Sequence, residues 1–232
     1  MVAAGMNVTL LSTGGTIAST DADGGPRPTR TGEELVESIP ELESHATLSV
    51  ETLAQAPSFE MDGETLETIG RRVRELEADS TVDAVVLTHG TDTLEETAYY
   101  LDVAVQPELP VFLTGAQRRP DEVSSDGPHN LLTAVRGVEA FVERDAGGTF
   151  VAFNGEVHSA RAVTKAHTAA LEAFRSRTVG PVATVDRAGV SIHRSPQCET
   201  APAYRYSNHW YIGTTNRIRR SRSRSRRPTD RL

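Results

Sequence analysis

Apolar positions along the chain switch repeatedly between two periods, one suited to buried strands and one to helices. Asn7-Val8-Thr9-Leu10-Leu11-Ser12 is a short β-prone run that stops at Thr13-Gly14-Gly15-Thr16. Thr31-Gly32-Glu33-Glu34 has capping-box spacing, and Leu35, Val36 and Ile39 follow before Pro40 ends that helix. Thr47 to Leu53 alternates like a strand and leads to Pro57-Ser58. Leu66, Ile69, Val73 and Leu76 then form one helical stripe, with Asp62 as its N-cap. Asp83-Ala84-Val85-Val86-Leu87 is a continuous apolar run of the kind buried on both faces of a parallel sheet, and it ends at Thr88-His89-Gly90-Thr91-Asp92. Thr93 and Glu96 have capping-box spacing again, ahead of a stripe of Leu94, Ala98, Leu101 and Val105. Pro110 to Thr114 reads as a strand followed by Gly115-Ala116-Gln117. Asp126 with Pro128 opens a helix carried by Leu131, Val135, Val138 and Val142, and Thr149 to Phe153 reads as a further strand.

Strand, loop and helix in repetition predict an α/β fold: a three-layer, doubly wound, mostly parallel sheet over roughly residues 6–185. In such sheets ligands sit outside the carboxyl ends of the strands. Thr13–Thr16, Ser58, His89–Asp92 and Gly115–Ala116 each follow a different strand, so the pattern places four polar loops along one edge. Beyond residue 185 the pattern weakens. Val182–Val185 and Val190–His193 have the character of short strands, but no helical stripe follows. The reading is a domain over 1–185, a linker or incomplete second α/β domain over 186–203, and an unpacked Arg/Ser-rich segment over 204–232.

Composition adjusts this picture in three ways. Among 232 residues there is one cysteine, Cys198, which excludes an internal disulfide framework. No apolar run approaches the roughly 18 residues of a membrane span. The N-terminal residues precede their short apolar stretch without Lys or Arg, so the expectation is a cytoplasmic protein that contacts no membrane. Charge is segregated: 24 basic side chains stand against 32 acidic ones, yet residues 217–232 hold eight Arg and one Asp. Residues 1–216 therefore carry 16 and 31, a net of −15, which argues against nucleic acid as a partner. The only lysine is Lys165. An acidic, lysine-poor surface resembles proteins of salt-loaded cytoplasms. One retained lysine points to a need for a compact ammonium whose basicity its surroundings can tune.

The loops carry the chemistry. Thr13-Gly14-Gly15-Thr16 lacks the length and the Gly-Lys-Ser/Thr ending of a phosphate loop. Its glycines permit a sharp turn and close backbone approach, and its threonines supply hydroxyls. Taken alone it also reads as an ordinary strand-to-loop turn. The run Thr88 to Thr93 packs hydroxyls and a carboxylate at a helix start, which by itself reads equally as an elaborate cap. With Lys165, however, Thr91 and Asp92 form a candidate hydroxyl–ammonium–carboxylate relay. A neutral lysine accepts the hydroxyl proton, and the carboxylate orients the amine and stabilises the charge that forms. The seven histidines show no metal-ligand spacing, so neither a metal nor a cofactor is expected.

At these residues the sequence resembles the L-asparaginase family, amidohydrolases with a threonine nucleophile. The resemblance rests on Thr13-Gly14-Gly15-Thr16-Ile17-Ala18 and on His89-Gly90-Thr91-Asp92-Thr93-Leu94-Glu95-Glu96-Thr97-Ala98-Tyr99. It extends through Gly115-Ala116, Ser125-Asp126-Gly127-Pro128 with Asn130-Leu131, and Val163-Thr164-Lys165. It implies Thr16 as nucleophile and Thr91, Asp92 and Lys165 as the second catalytic group. It also implies Ser58, Gly90, Thr91, Asp92 and Ala116 around the substrate, the Ala116 carbonyl receiving the leaving amine. The sequence departs from the family pattern in having no Tyr between Asp21 and Thr31 and in having Phe59 after Ser58. Family members also carry a smaller C-terminal α/β domain and form homodimers or homotetramers, and this chain is expected to stop before that domain.

The resemblance implies hydrolysis of L-asparagine, or of L-glutamine, to the acid and ammonia. Two other readings follow from the same residues: a catalytically impaired remnant acting as an interaction module, and the asparaginase-like subunit of an archaeal tRNA-dependent amidotransferase.

Overall fold

The computed structural model describes residues 5–21, 25 and 27–196. In chain order the strands are β1 Asn7–Gly14, β2 Ser19–Thr20, β3 Arg27–Pro28, β4 Thr47–Ala56, β5 Ala84–Thr88, β6 Pro110–Thr114, β7 Gly148–Phe153, β8 Glu156–Ser159, β9 Thr164–Lys165, β10 Phe174–Arg175, β11 Ala183–Asp186 and β12 Gly189–Ile192. The helices are α1 Gly32–Glu37, α2 Gly63–Ala78, α3 Leu94–Tyr100 and α4 Gly127–Val142.

Eight strands form one sheet in the order β12-β11-β8-β7-β6-β5-β1-β4. The five from β4 to β7 are parallel. The other three, β8, β11 and β12, join antiparallel. Two short ladders lie outside this sheet: β2 with β3, and β9 with β10. The chain leaves β1 for the edge strand β4 and then crosses back to β5 on the other flank of β1. The order reverses between β1 and β5, the place where open α/β sheets hold ligands.

Alternate residues of the central strands enter opposite cores, as the two-residue period demands. Leu10, Val86, Phe112 and Phe150 pack with Val36 of α1 and with Leu131, Val135, Val138 and Phe141 of α4. Leu11, Leu87, Leu113 and Val151 pack on the other face with Ile69, Val73 and Leu76 of α2 and with Leu94 and Ala98 of α3. This is the expected three-layer arrangement. In the first core Phe112, Phe141 and Phe150 form a mutual aromatic cluster with centroids 4.8–5.3 Å apart. Each such side chain taken fully out of water contributes about 1.5–3 kcal/mol.

Local signals fared unequally. Thr31 and Glu34 form the full capping box at α1, and the Asp62 carboxylate caps α2 through the Thr65 N–H at 2.9 Å. The second expected box does not form. Thr93 sits at the N-cap of α3 without a side-chain cap bond: its backbone, ψ 20°, lacks the extended conformation of Thr31, and its hydroxyl donates to the Ser58 carbonyl at 2.8 Å. The stripe from Leu94 to Val105 is not one regular helix either: α3 ends at Tyr100 and the backbone widens into a π-turn over Leu101–Val105. β8 was not foreseen, since Glu156-Val157-His158-Ser159 offers one aliphatic residue and owes its conformation to pairing with β7. The sheet continues past residue 185 through the β11–β12 hairpin. The Arg/Ser-rich segment at 204–232 lies outside the described residues. Among the described residues, no helix is long and apolar enough to cross a membrane.

Candidate active site

Four loops at the carboxyl ends of β1, β4, β5 and β6 meet at the switch point, and glycines set how closely. Gly15 follows β1 with φ 80° and ψ −178°, and a Cβ placed on it would lie 2.5 Å from the Gly90 Cα. Gly90, in the loop after β5, is in turn pressed against Ser58, where a Cβ would stand 2.6 Å from the serine Cβ and Oγ. Gly115, after β6, abuts the His89 carbonyl and the Thr91 methyl. A side chain at any of these positions would hold the loops apart. Thr16, Ser58, Thr91 and Ala116 are thereby drawn onto neighbouring segments although they come from four separate strands.

Side-chain bonds lock the assembly. Ser58 Oγ accepts from the Asp92 N–H at 3.1 Å, and the Thr13 hydroxyl donates to the Thr88 carbonyl at 3.0 Å. His89 is fully buried. Its Nδ1 lies 2.7 Å from the Gly90 carbonyl and its Nε2 lies 3.0 Å from the Thr97 hydroxyl. A carbonyl only accepts, so Nδ1 carries the proton and Nε2 accepts from Thr97. Burial pushes the His89 pKa below its usual value, partly opposed by the bond to Gly90, which keeps the ring neutral in this role.

Asn130, also fully buried, braces the loop after β6. Its amide donates to the Gly115 carbonyl and to Asp126 Oδ2, each at 3.0 Å, and its oxygen accepts from the Asn154 N–H at 2.8 Å. The Asp126 carboxylate, at the N-cap of α4, makes no cap bond to the backbone of that helix and, besides Asn130, accepts from the N–H groups of Gln117 and Arg118.

Lys165 arrives from a separate part of the chain. Its Nζ lies 2.8 Å from Thr91 Oγ1 and 2.7 Å from Asp92 Oδ1. The lysine side chain is 12% exposed and the Asp92 side chain 62% exposed, so the relay is covered at its amine end and open to solvent at its carboxylate. The Thr91 hydroxyl also faces Gln117 Oε1 at 3.4 Å. Thr16 opens a short 3-10 turn, Thr16–Ala18, and is half-buried. That turn is anchored by Ile17, which packs with Ala18, Leu35 and Ala116 and lies against Gly127. Among the described residues, Thr16 is joined to the relay by the Gly15–Gly90 contact rather than by a hydrogen bond of its own. Phe59, directly after Ser58, is 72% exposed at the rim. No group of three or more His, Cys, Asp or Glu side chains among the described residues is placed to hold a metal ion.

Sequence reasoning grouped Thr91, Asp92 and Lys165, and these three are in contact. It missed the supports. His89 and Asn130 were visible only as letters within motifs, because a buried polar residue is identified by its partners rather than its neighbours in sequence.

Comparison with known proteins identifies the family and the fold. A family model described as "Asparaginase, N-terminal" matches residues 7–198. The chain is 39% identical over 184 residues to "L-asparaginase 2" of Bacillus subtilis, covering 77% of this chain and 49% of that protein. It is likewise 39% identical over 175 residues to "Glutaminase-asparaginase" of Pseudomonas fluorescens, covering 73% and 48%. The solved structure of a probable cytoplasmic L-asparaginase from Campylobacter jejuni superposes with a TM-score of 0.74 at 33% identity, over 82% of this chain and 57% of that one. The chain thus spans about half the length of the curated relatives it matches. With the family model running through every loop of the switch-point cluster and through Lys165, the chain belongs to the asparaginase family and has the fold of its N-terminal domain.

Proposed function

We propose that this chain carries the catalytic machinery of an L-asparaginase, hydrolysing L-asparagine to L-aspartate and ammonia through a covalent acyl-threonine. The observation that carries the reading is the convergence of the Lys165 amine on Thr91 Oγ1 and Asp92 Oδ1, across more than 70 residues of sequence, beside the loop of Thr16. In the first half-reaction the Thr16 oxygen bonds to the side-chain amide carbon as its proton leaves toward the relay. The carbon–nitrogen bond then breaks, and the departing nitrogen takes a proton and leaves as ammonia, guided by the Ala116 carbonyl. In the second half-reaction water attacks the ester carbon, the bond to Thr16 oxygen breaks, and the threonine recovers its proton. A threonine hydroxyl is a weak nucleophile, so the proton path matters: Thr91 takes the Thr16 proton as it passes its own to the Lys165 amine, the Asp92 carboxylate stabilises the ammonium that results, and the relay returns this proton to the departing nitrogen.

Substrate binding follows from the same groups. Ser58 already accepts from the Asp92 N–H, so its own hydroxyl proton serves an α-carboxylate, and the exposed Asp92 carboxylate serves an α-ammonium. The reading extends to L-glutamine as an alternative substrate, to action as a homodimer or homotetramer, and to a cytoplasmic location. No cofactor takes part in the proposed steps.

Ammonia release from L-asparagine by the purified chain tests the proposal. Thr16→Ala abolishes release, and Lys165→Met lowers it by about 10²–10⁴-fold, the contribution of a positioned acid–base group. Mass spectrometry of the rapidly quenched wild type finds the aspartyl ester on the peptide containing Thr16. Undiminished turnover by Thr16→Ala rejects the assignment.

A further inference from the structure

Lys165 must place one amine between two oxygens, yet its backbone belongs to no part of the main sheet. β9 is two residues long and pairs only with β10, through Lys165 opposite Phe174 and Thr164 opposite Arg175. One further bond, Ala166 N–H to the Ala173 carbonyl at 2.6 Å, closes that small ladder. A four-carbon side chain on a two-residue strand is a poor way to fix an amine unless something else holds its backbone.

That hold comes from α3. The Glu95 carboxylate, in the first turn of α3 and half-buried, accepts a hydrogen bond from the backbone N–H of Lys165 through Oε2. Two residues past the end of α3, in the π-turn, buried Asp102 takes the Arg161 guanidinium at 3.1 Å through Oδ2. The segment Arg161–Lys165 is gripped at both ends by a single helical element. The same element continues directly from the loop of Thr91 and Asp92 and is bolted to it by the Thr97 bond to His89. Thr91, Asp92 and the carboxylate that sets the height of Lys165 therefore ride on one rigid piece.

We propose that Glu95 is the positioning residue of the relay: its carboxylate holds the Lys165 backbone so that Nζ meets Thr91 and Asp92 together. It touches neither substrate nor reacting atoms and acts only through Lys165. The bond runs from a neutral N–H to a carboxylate, a charge-assisted pairing stronger than the neutral bonds of the β9–β10 ladder. The consequence for catalysis rests on the amidohydrolase reading above, whereas the consequence for the lysine amine does not.

Because Lys165 is the only lysine, the full-length chain labelled with ¹⁵N at lysine Nζ gives one Nζ resonance, which reports this amine alone. Glu95→Ala is expected to move that resonance toward the value of free lysine in water. It is also expected to lower kcat for asparagine by about 100-fold, the scale of a 1 Å misplacement of a catalytic group, with KM changed less than threefold. Glu95→Gln retains an acceptor oxygen at the same reach and keeps both the wild-type resonance and a kcat within about threefold. Glu95→Asp, which withdraws the carboxylate by one methylene, behaves like Glu95→Ala and replaces it if the alanine variant does not fold. A wild-type resonance and wild-type kcat in the folded Ala or Asp variant overturn the proposal. So does a loss of thermal stability with both readouts unchanged, since a merely structural glutamate gives that pattern. If the wild type releases no ammonia, the amidohydrolase reading fails, and the Nζ resonance still decides the role of Glu95.

Discussion

Replacing Gly15 by alanine tests whether the meeting of the β1 and β5 loops is as tight as the site requires. Two costs apply. The backbone at Gly15, φ 80° and ψ −178°, lies in a region open essentially to glycine alone, which costs an alanine about 1–3 kcal/mol. The new methyl would also meet backbone, with the Gly90 Cα at 2.5 Å, so no rotamer change relieves the contact. Forced overpacking of that kind costs a further 1–3 kcal/mol or so. The sum, about 2–6 kcal/mol, is a large part of the roughly 5–15 kcal/mol that holds a domain together. Urea denaturation followed by far-ultraviolet circular dichroism measures it directly. Gly63→Ala, at the first position of α2 with nothing within 4 Å of the added methyl, is the control and is expected to be neutral or to stabilise by about 0.4–1 kcal/mol. Surviving folded Gly15→Ala should lose about 100-fold in ammonia release, because Thr16 is the next residue and moves with the loop. A Gly15→Ala protein within about 0.5 kcal/mol of wild type and fully active would refute the close-packed loop contact and the placement of Thr16 built on it.

Two further predictions concern buried polar groups. Asn130→Leu should destabilise by about 3 kcal/mol in the same urea titration, since the Gly115 carbonyl and the Asn154 N–H each lose a partner at about 1–3 kcal/mol apiece; a loss below about 0.5 kcal/mol contradicts the bracing role. Acid should destabilise the fold through His158, whose pKa burial, aided by the nearby Arg194 charge, pushes down to about 4. The unfolded chain holds that proton more tightly, so the stability is fully present above about pH 6.5 and is lost as pH falls toward 4, by about 3 kcal/mol. His89, shifted in the same direction, adds to the same limb, so His158→Gln should flatten the pH dependence without abolishing it. An unchanged slope between pH 4 and 6.5 in that variant excludes His158 as a source.

Several elements were legible because one physical effect dominated them. Ala84–Thr88 is buried along its whole length, and an uninterrupted apolar run announces such a strand. Asp62 and Thr31 cap as expected because their extended backbones, ψ 176° and 166°, turn the side-chain oxygen onto the free N–H groups of the first turn. Thr93 has the same spacing to Glu96 as Thr31 to Glu34, and it behaves differently: its backbone is not extended, and its hydroxyl is turned to donate to the Ser58 carbonyl, 35 residues away. β8 was illegible for a related reason: its partner β7, not its own apolar content, makes it a strand.

By itself, then, the sequence determined the period of each main element, the sheet class, and a set of polar loops that end the first parallel strands. These follow from local side-chain burial and backbone preference, which act over a few residues. Only the tertiary structure decided that Gly15 touches Gly90, that Lys165 reaches Thr91 and Asp92 at 2.7–2.8 Å, and that Glu95 holds the lysine backbone. Those relations join positions some 70 residues apart: the crossover from β1 to β4 and back to β5 sets the β1 and β5 loops side by side, and the bonds of Glu95 and Asp102 to the segment Arg161–Lys165 bring the lysine to them. Hydrogen bonds and steric contacts fall off within a few ångströms, so they become defined only when packing has fixed which distant residues are neighbours.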